Sequence, residues 1–283
     1  MAREAIGIYS NLNKRDVLPV AVSVAGFLRK RGVEVYAQPE LQEVLSLDDA
    51  HVAPDFRDCG LAVVLGGDGT ILSAMDYTLS GETPILGVNL GRVGFLTEIS
   101  PHDVFDALSR YLGGDYSLEE RMLLKVEGAD GRAFYALNEV AFNRANSMVG
   151  ILTLEAKHRG VLVDRYAGDG LIVASATGST GYSLSAGGPI IAPGLDLLLL
   201  TPVCSHTLSA RPVILSADDP VTVNVTGDAE NAMMMIDGRL AVELSKSSGT
   251  VSVRKSGKRA RFIRFGGQRY FDLLRQKLSD WTH

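Results

Sequence analysis

The run Leu61-Ala62-Val63-Val64-Leu65 leads directly into Gly66-Gly67-Asp68-Gly69-Thr70 and then into a helical pattern. A strand of five apolar residues has no polar face, so it must be covered on both sides, as strands of parallel sheets are. The glycines after it mark where a ligand can sit. In an open α/β sheet, ligands bind beyond the carboxyl ends of the strands. Glycines there let a phosphate approach the backbone, and the following helix start offers free N–H groups to an anion. Asp68 does not fit phosphate binding alone, because a carboxylate repels phosphate. It suits a base, or an indirect Mg²⁺ anchor, beside a phosphate in transfer. The plainer alternative is a tight turn with Asp68 as the helix cap.

The flanking sequence extends this unit. Ala5 to Tyr9 reads as a strand. Asp16 can cap a helix running to about Arg31, with Val17, Val20, Ala21, Val24 and Leu28 on one face and Gly32 as its stop. Val33 to Tyr36 and Pro84 to Val88 read as strands, and Thr70 to Leu79 as a helix stopped by Gly81. Ser100-Pro101 starts another helix, which Gly113-Gly114 ends. Such alternation predicts a parallel sheet covered by helices. From about Ser117, β-type runs follow one another, with hairpin signals at Asp130-Gly131, Arg159-Gly160, Asp237-Gly238 and Ser248-Gly249. Gln268 to Leu278 returns to helical period, with Phe271, Leu274 and Leu278 on one stripe. The expected fold is an N-terminal α/β domain with a parallel sheet (residues 1–100 plus 266–283) and a β-rich, β-sandwich-like second domain (101–265). The C-terminal helix is expected to return to the first domain.

Composition narrows the partners. The net charge of −5 over 283 residues offers nothing to nucleic acid or to an anionic membrane. No apolar run approaches bilayer-spanning length, and Arg3 and Glu4 precede only a short strand, so a soluble, cytoplasmic protein is expected. Cys59 and Cys204 match no metal or redox spacing and read as two reduced core thiols. His51, His102, His158 and His283 lie in polar contexts and read as surface. His206 is expected to orient backbone, so no protein metal site is expected. Arg254, Lys255, Lys258, Arg259, Arg261 and Arg264 read as a solvated strand face. Neither a Gly-x-x-x-x-Gly-Lys-Ser/Thr loop nor a Gly-x-Gly-x-x-Gly fingerprint occurs, which argues against a P-loop kinase and an ordinary dehydrogenase.

Two further segments carry chemistry. Asp169-Gly170-Leu171 continues through Thr177-Gly178-Ser179-Thr180-Gly181-Tyr182 to Ser185, Gly187 and Gly188. Glycines and hydroxyls at this density suit a loop that wraps a ligand, with Tyr182 available to stack on a base. Leu137-Asn138-Glu139-Val140 sets an amide beside a carboxylate. Asn138 offers a donor and an acceptor to a base edge, and Glu139 an acceptor to ribose hydroxyls. The bland alternative is a solvent-facing pair on an edge strand.

Gly-Gly-Asp-Gly-Thr after a buried strand resembles the signature shared by NAD kinases, diacylglycerol and sphingosine kinases and, more loosely, phosphofructokinases. The Thr177–Tyr182 loop and the Asn138-Glu139 pair resemble NAD kinases in particular. So do Gly87 to Gly94 with Phe95-Leu96, Thr201-Pro202, His206 to Ser209, Arg211-Pro212, Asp237-Gly238, and the closing segment Phe271-Asp272 through Arg275, Lys277-Leu278 and Trp281. The resemblance implies a cytoplasmic kinase that phosphorylates the 2′-hydroxyl of the adenosine ribose of NAD, with Mg²⁺ accompanying ATP or polyphosphate. It implies that Gly67, Gly69 and Thr70 hold the donor phosphates and that Asp68 is the catalytic residue. NAD would be held by Asp68, Gly69, Phe95, Asn138 and Glu139, and by Thr177, Thr180, Gly181, Tyr182, Ser185 and Asp237. It further implies a homo-oligomer, a dimer or tetramer, in which Asp169 reaches a neighbouring subunit's NAD. A lipid or sphingoid kinase and a non-catalytic NAD(P)-binding protein are the competing readings. Three departures stand out. Ala176 replaces the usual proline of the loop, which implies a looser loop, and Gly181 replaces an alanine, which implies a wider pocket. Ser205 also stands where a proline is usual.

Overall fold

The computed structural model describes residues 5–13, 17–45, 50–91, 94–145, 151–226, 232–266 and 270–280. Asp16, Trp281 and His283 lie outside them. The strands of the first half are β1 (Ala5–Ser10), β2 (Glu34–Ala37), β3 (Ala50–Val52), β4 (Leu61–Gly66) and β5 (Ile85–Asn89). Its helices are α1 (Val17–Arg29), α2 (Pro39–Leu45), α3 (Asp68–Thr78) and α4 (Val104–Leu112). Then come β6 (Ser117–Glu127), β7 (Ala133–Ala136), β8 (Glu139–Arg144), β9 (Leu152–His158), β10 (Val161–Gly168) and β11 (Gly170–Ala174). The one-turn helix α5 (Tyr182–Ser185) precedes β12 (Leu197–Val203), β13 (Val213–Ser216), β14 (Val221–Thr226), β15 (Ala232–Ile236) and β16 (Arg239–Leu244). The long β17 (Val251–Arg264) and α6 (Tyr270–Asp280) close the chain. The chain divides into two compact units, Met1–Glu120 with Ala260–His283, and Arg121–Arg259.

The first unit holds a parallel sheet in the order β17, β5, β4, β1, β2, β3. Every residue of β4 is buried, as its apolar run requires. Ile6, Ile8, Leu86 and Val88 share a core with Val17, Ala21, Val24 and Leu28 of α1 and with α4. Side chains alternate along a strand, so Gly87 faces the other way. A Cβ there would lie 2.8 Å from the Ile71 side chain of α3. Helices therefore cover both faces of the sheet. Each of the valine, leucine and isoleucine side chains among them contributes about 1.5–3 kcal/mol when fully buried. Gly32 stops α1 with φ of +75°. Nothing in the residue pattern marks α2 and β3, which at seven and three residues are too short to show a period.

α6 belongs to this unit, as expected, but presents a different stripe. Leu273 and Leu274 are buried, while Phe271 and Leu278 are exposed. Tyr270 and Lys277 complete the inner face, with the Tyr270 ring 6.1 Å from the Phe95 ring and the Lys277 ammonium 5.4 Å from its centroid. The helix is rotated because Phe95 offers an aromatic surface to an aromatic ring and a cation. Cys59 is buried, and burial pushes its thiol up to about 12. Cys204 is instead exposed, on a residue with φ of +44°, so the expectation of two core thiols fails there.

The second unit is antiparallel. One sheet runs β13, β12, β11, β8, β15, β16, and β10, β9, β14 and β17 form another ladder. Phe142, Leu171, Val173, Leu198 and Leu200 from the first pack with Leu154, Val221, Val223 and Val253 from the second in one core, which makes a sandwich. Arg159-Gly160 and Asp237-Gly238 are hairpin turns with positive φ at both residues. Asp130-Gly131 joins β6 to β7. Ser248-Gly249 is not a hairpin, because β16 and β17 lie in different sheets. The basic residues of β17 are paired rather than merely solvated. Arg254 meets Glu127, Lys255 and Arg259 share Asp196, Arg261 meets Glu120, and Arg264 meets Glu98 and Glu119.

Candidate active site

In the first unit, β4 ends in Gly66 and α3 begins at Asp68. A Cβ on Gly66 would sit 2.2 Å from the Thr70 hydroxyl, so close packing demands glycine there. A Cβ on Gly69 would meet nothing within 4 Å. Packing does not require that glycine, and its exposed backbone is free for a ligand to approach. Asp68 does not cap its helix, whose N-cap is Gly67 without any side-chain hydrogen bond. Its carboxylate turns to a distant loop instead. Phe95 N–H donates to Oδ2 at 2.8 Å and Leu96 N–H to Oδ1 at 3.0 Å. The loop pays for this with Gly94, since a Cβ there would lie 1.9 Å from Asp68 Oδ1. Gly94 N–H in turn donates to Thr97 Oγ1. Asp68 is half-buried, held in place by two amides, with one lone pair on each oxygen left for another donor. The N–H groups of Thr70 and Ile71 donate to Gly67 O, so Thr70 can offer a ligand its hydroxyl.

In the second unit, β8 is flanked by β11 and β15, so Asn138-Glu139 enters a central strand and not an edge. Asp237, at the Asp-Gly hairpin, shapes that entry. Its carboxylate accepts from Leu137 N–H at 2.7 Å, Asn138 N–H at 2.8 Å and Glu139 N–H at 3.0 Å. Burial raises the Asp237 carboxyl, and the three amides oppose that rise. Glu139 is 6% exposed. Burial, with Asp237 close by, pushes its carboxyl up to about 7, against a hydrogen bond from Tyr182 N–H. Its Oε2 is buried with no hydrogen-bond partner. An acceptor held this way is costly to the fold and ready for a ligand hydroxyl.

The Thr177–Thr180 segment is a 3₁₀ turn followed by α5 rather than an open loop. Ser175 ties it to the Asn138 strand: its N–H donates to Asn138 O at 2.8 Å and its hydroxyl to Leu137 O at 2.6 Å. A Cβ on Gly178 would lie 2.2 Å from Asn138 O, so only glycine lets the turn pack there. Ser179 accepts from Ile191 N–H at 3.0 Å, and Thr180 donates to Thr177 O. Ala176 has φ of −58°, a value proline would impose. The surrounding bonds place the turn in the geometry that proline would impose. A Cβ on Gly181 would come within 3.0 Å of Glu139 Oε2 and 3.5 Å of Asn138 Nδ2, so the missing methyl opens space at this pair.

The second unit thus brings Asn138, Glu139, Thr177, Gly181, Tyr182 and Asp237 together. Ser185 ends α5 and is exposed. Asp169 immediately precedes β11 and pairs with Arg144 at 3.2 Å, and its charge, with that of Glu139, helps burial to raise the Tyr182 phenol. Sequence reasoning missed Arg121, a buried cation whose Nη1 reaches Thr177 Oγ1 at 3.5 Å. A lone arginine at the start of an apolar alternation was the available signal. It also missed that Gly94 and the Leu96 amide fix Asp68. Among the described residues, no three His, Cys, Asp or Glu converge as a metal site, and no helix is long and apolar enough to cross a membrane.

Comparison with known proteins bears on both units. A family model described as the ATP-NAD kinase N-terminal domain matches residues 6–116, and one described as the ATP-NAD kinase C-terminal domain matches 137–265. An NAD kinase of Syntrophotalea carbinolica is 38% identical, over 97% of this chain and 98% of its own. The crystal structure of an Archaeoglobus fulgidus NAD kinase in complex with ATP is 27% identical, with a TM-score of 0.76 over 97% of this chain and 98% of its own. Yeast NADH kinase complexed with NADH shares the fold at 24% identity, with a TM-score of 0.87 over 96% of this chain and 86% of its own. None of these supports a lipid kinase or a non-catalytic dinucleotide binder. The chain belongs to the NAD kinase family.

Proposed function

We propose that this kinase transfers the terminal phosphoryl group of a nucleoside triphosphate to the 2′-hydroxyl of the adenosine ribose of NAD, giving NADP. The observation that carries the reading is the Asp68 carboxylate, fixed by the Phe95 and Leu96 amides beside the open backbone of Gly69. A hydroxyl is far less acidic than a carboxylic acid, so Asp68 does not ionise it beforehand. It aligns the oxygen and takes its proton as the new O–P bond forms and the bond to the leaving diphosphate breaks. Such a transition state is loose, so positioning and charge neutralisation carry most of the rate. Asn138, Glu139, Thr177 and Tyr182 hold the adenosine, with Glu139 Oε2 as an acceptor for a ribose hydroxyl. The curated relatives are NAD kinases, and the Archaeoglobus fulgidus protein was solved with ATP, which supports NAD as acceptor and a nucleotide as donor.

Mg²⁺ would accompany the donor in this reading and would neutralise phosphate charge. The remaining lone pairs of Asp68, with its other contacts taken by amides, suit contact through water. The ion's other ligands would be phosphate oxygens and water. A homo-oligomer in which Asp169 serves a neighbour's NAD belongs to the same reading, as does a cytoplasmic location.

The test is a coupled assay with purified protein, NAD, ATP and Mg²⁺, with NADP read by an NADP-specific dehydrogenase. Phosphorus NMR should place the new phosphate on the adenosine 2′-oxygen. An NAD analogue lacking that hydroxyl should bind within about 1–2 kcal/mol of NAD, having lost about one hydrogen bond, and inhibit competitively. Phosphate on the 3′-oxygen or on the nicotinamide ribose would show the orientation to be wrong. Turnover of a sphingoid base or diacylglycerol without turnover of NAD would overturn the function.

A further inference from the structure

The Thr177–Thr180 turn of the second unit meets a buried cation. Arg121 stands in β6 where that strand enters the interior. Met122, Leu124 and Val126 point into the sandwich core, and side chains alternate along a strand, so Arg121 faces the other way. It is 5% exposed, and its Nη1 donates to Thr177 Oγ1 at 3.5 Å. The contact is at the long end for N–H···O. Its weight comes from charge, because the donor is a guanidinium held out of water, where such an interaction is strengthened. Desolvating a guanidinium is costly, and the fold accepts that cost beside a turn whose residues are proposed to hold adenosine.

The pairing has a direction. An arginine only donates hydrogen bonds, whereas a threonine hydroxyl both donates and accepts. Thr177 Oγ1 is therefore the acceptor of the pair, and its proton points elsewhere. Among the described residues that proton reaches no acceptor. The cation also opposes a second donor at the same oxygen, because both would bring positive charge to it. Thr177 thus presents a donor to a ligand. Glu139 presents the opposite, a buried Oε2 with no partner that can only accept while the carboxylate is ionised. On adenosine, the ring nitrogens accept, while the exocyclic amine donates and the ribose hydroxyls can donate. The two side chains therefore suit different atoms of the same nucleoside.

We infer that Arg121 is a positioning residue that fixes the polarity of the Thr177 hydroxyl, so that Thr177 donates its proton to a ring nitrogen of the adenine of NAD. The inference rests on the reading of Thr177 as part of the adenosine site. Arg121 touches no substrate atom and acts through Thr177. It has other interactions as well, so its removal bears on the fold as well as on the site, and the test must separate the two.

A double-mutant cycle in NAD affinity does so, by calorimetry without a phosphate donor. Thr177→Val should weaken NAD roughly 3- to 10-fold, the value of about one hydrogen bond. Arg121→Met should weaken it by a similar factor in the parent and by less than about 2-fold when Thr177→Val is already present, since contacting groups couple. Arg121→Gln takes the same place in the cycle if Arg121→Met does not melt cooperatively. A second arm needs no Arg121 variant. NAD analogues with carbon in place of adenine N1, N3 or N7 are titrated into parent and Thr177→Val. One of the three should bind the parent as weakly as NAD binds Thr177→Val, and should bind both proteins equally. Multiplicative losses from Arg121 and Thr177 would show a purely structural arginine and overturn the inference. So would full affinity of the parent for all three analogues. A parent that binds no NAD would refute the functional reading, whereas NAD binding with uncoupled losses would refute this inference alone.

Discussion

Asp68 in the first unit and Asp237 in the second are bonded in the same way and do different things. Each receives backbone N–H groups from a loop distant in sequence: Phe95 and Leu96 for one, Leu137, Asn138 and Glu139 for the other. Asp68 is half-buried beside an open glycine, so bonding fixes it and leaves it usable. Asp237 engages both oxygens with three amides and leaves the acceptor role to its buried neighbour Glu139, whose Oε2 has no partner. The comparison teaches that a carboxylate's hydrogen bonds do not reveal its role. What is left over after those bonds does.

The largest expected effect falls on the first unit. Asp68→Asn replaces one acceptor oxygen with an NH₂ that faces an amide and cannot take a proton. Single-turnover NADP formation should fall roughly 10²- to 10⁴-fold, the range for a positioned base, while NAD affinity is largely kept. Near-parental rates from a folded Asp68→Asn protein would erase the contrast between the two aspartates. Gly94→Ala tests the same contrast through positioning. Its methyl would collide with Asp68 Oδ1, and a displacement of about 1 Å costs on the order of 10²-fold in rate. The loss should appear in kcat rather than in the KM for NAD. A loss confined to KM would assign Asp68 to binding.

The second unit should respond through pH. Glu139 has its carboxyl raised to about 7, above its unfolded value of about 4.3. A raised carboxyl binds its proton more tightly in the folded state. The stability this contributes is therefore complete below about pH 4 and lost as pH rises through about 7, and amounts to at most about 4 kcal/mol. Glu139→Gln should flatten that part of the stability–pH profile, as urea midpoints measured between pH 4.5 and 8 would show. Parallel profiles for parent and variant would mean that Glu139 carries no such strain. The smallest effect is expected for Gly181→Ala. The added methyl must shift Glu139 Oε2 by a few tenths of an ångström, but the alanine also restricts the unfolded chain, worth about 0.4–1 kcal/mol. Stability should change by less than about 1 kcal/mol and NAD affinity by a few-fold at most. A large loss of affinity would show that the space at Gly181 is part of substrate recognition here.

The sequence by itself determined the layout. The apolar run at Leu61–Leu65 demanded two-sided cover, the β-type runs after Ser117 demanded a sandwich, and glycines beside Asp68 marked the strand end, because period and turn chemistry are local properties. Short elements such as α2 and β3, and the rotation of α6, were not legible, since neither period nor propensity reports which neighbour a face will meet. Only the tertiary structure decided what each polar group does. It turned Asp68 from its own helix toward amides 27 and 28 residues away, and moved Asp237 across 98 to 100 residues to fold the Asn138-Glu139 turn. It placed Arg121 beside Thr177, 56 residues away. Hydrogen bonds and desolvation depend on which groups meet in space, and distances of that kind along the chain carry no local signal in a single sequence.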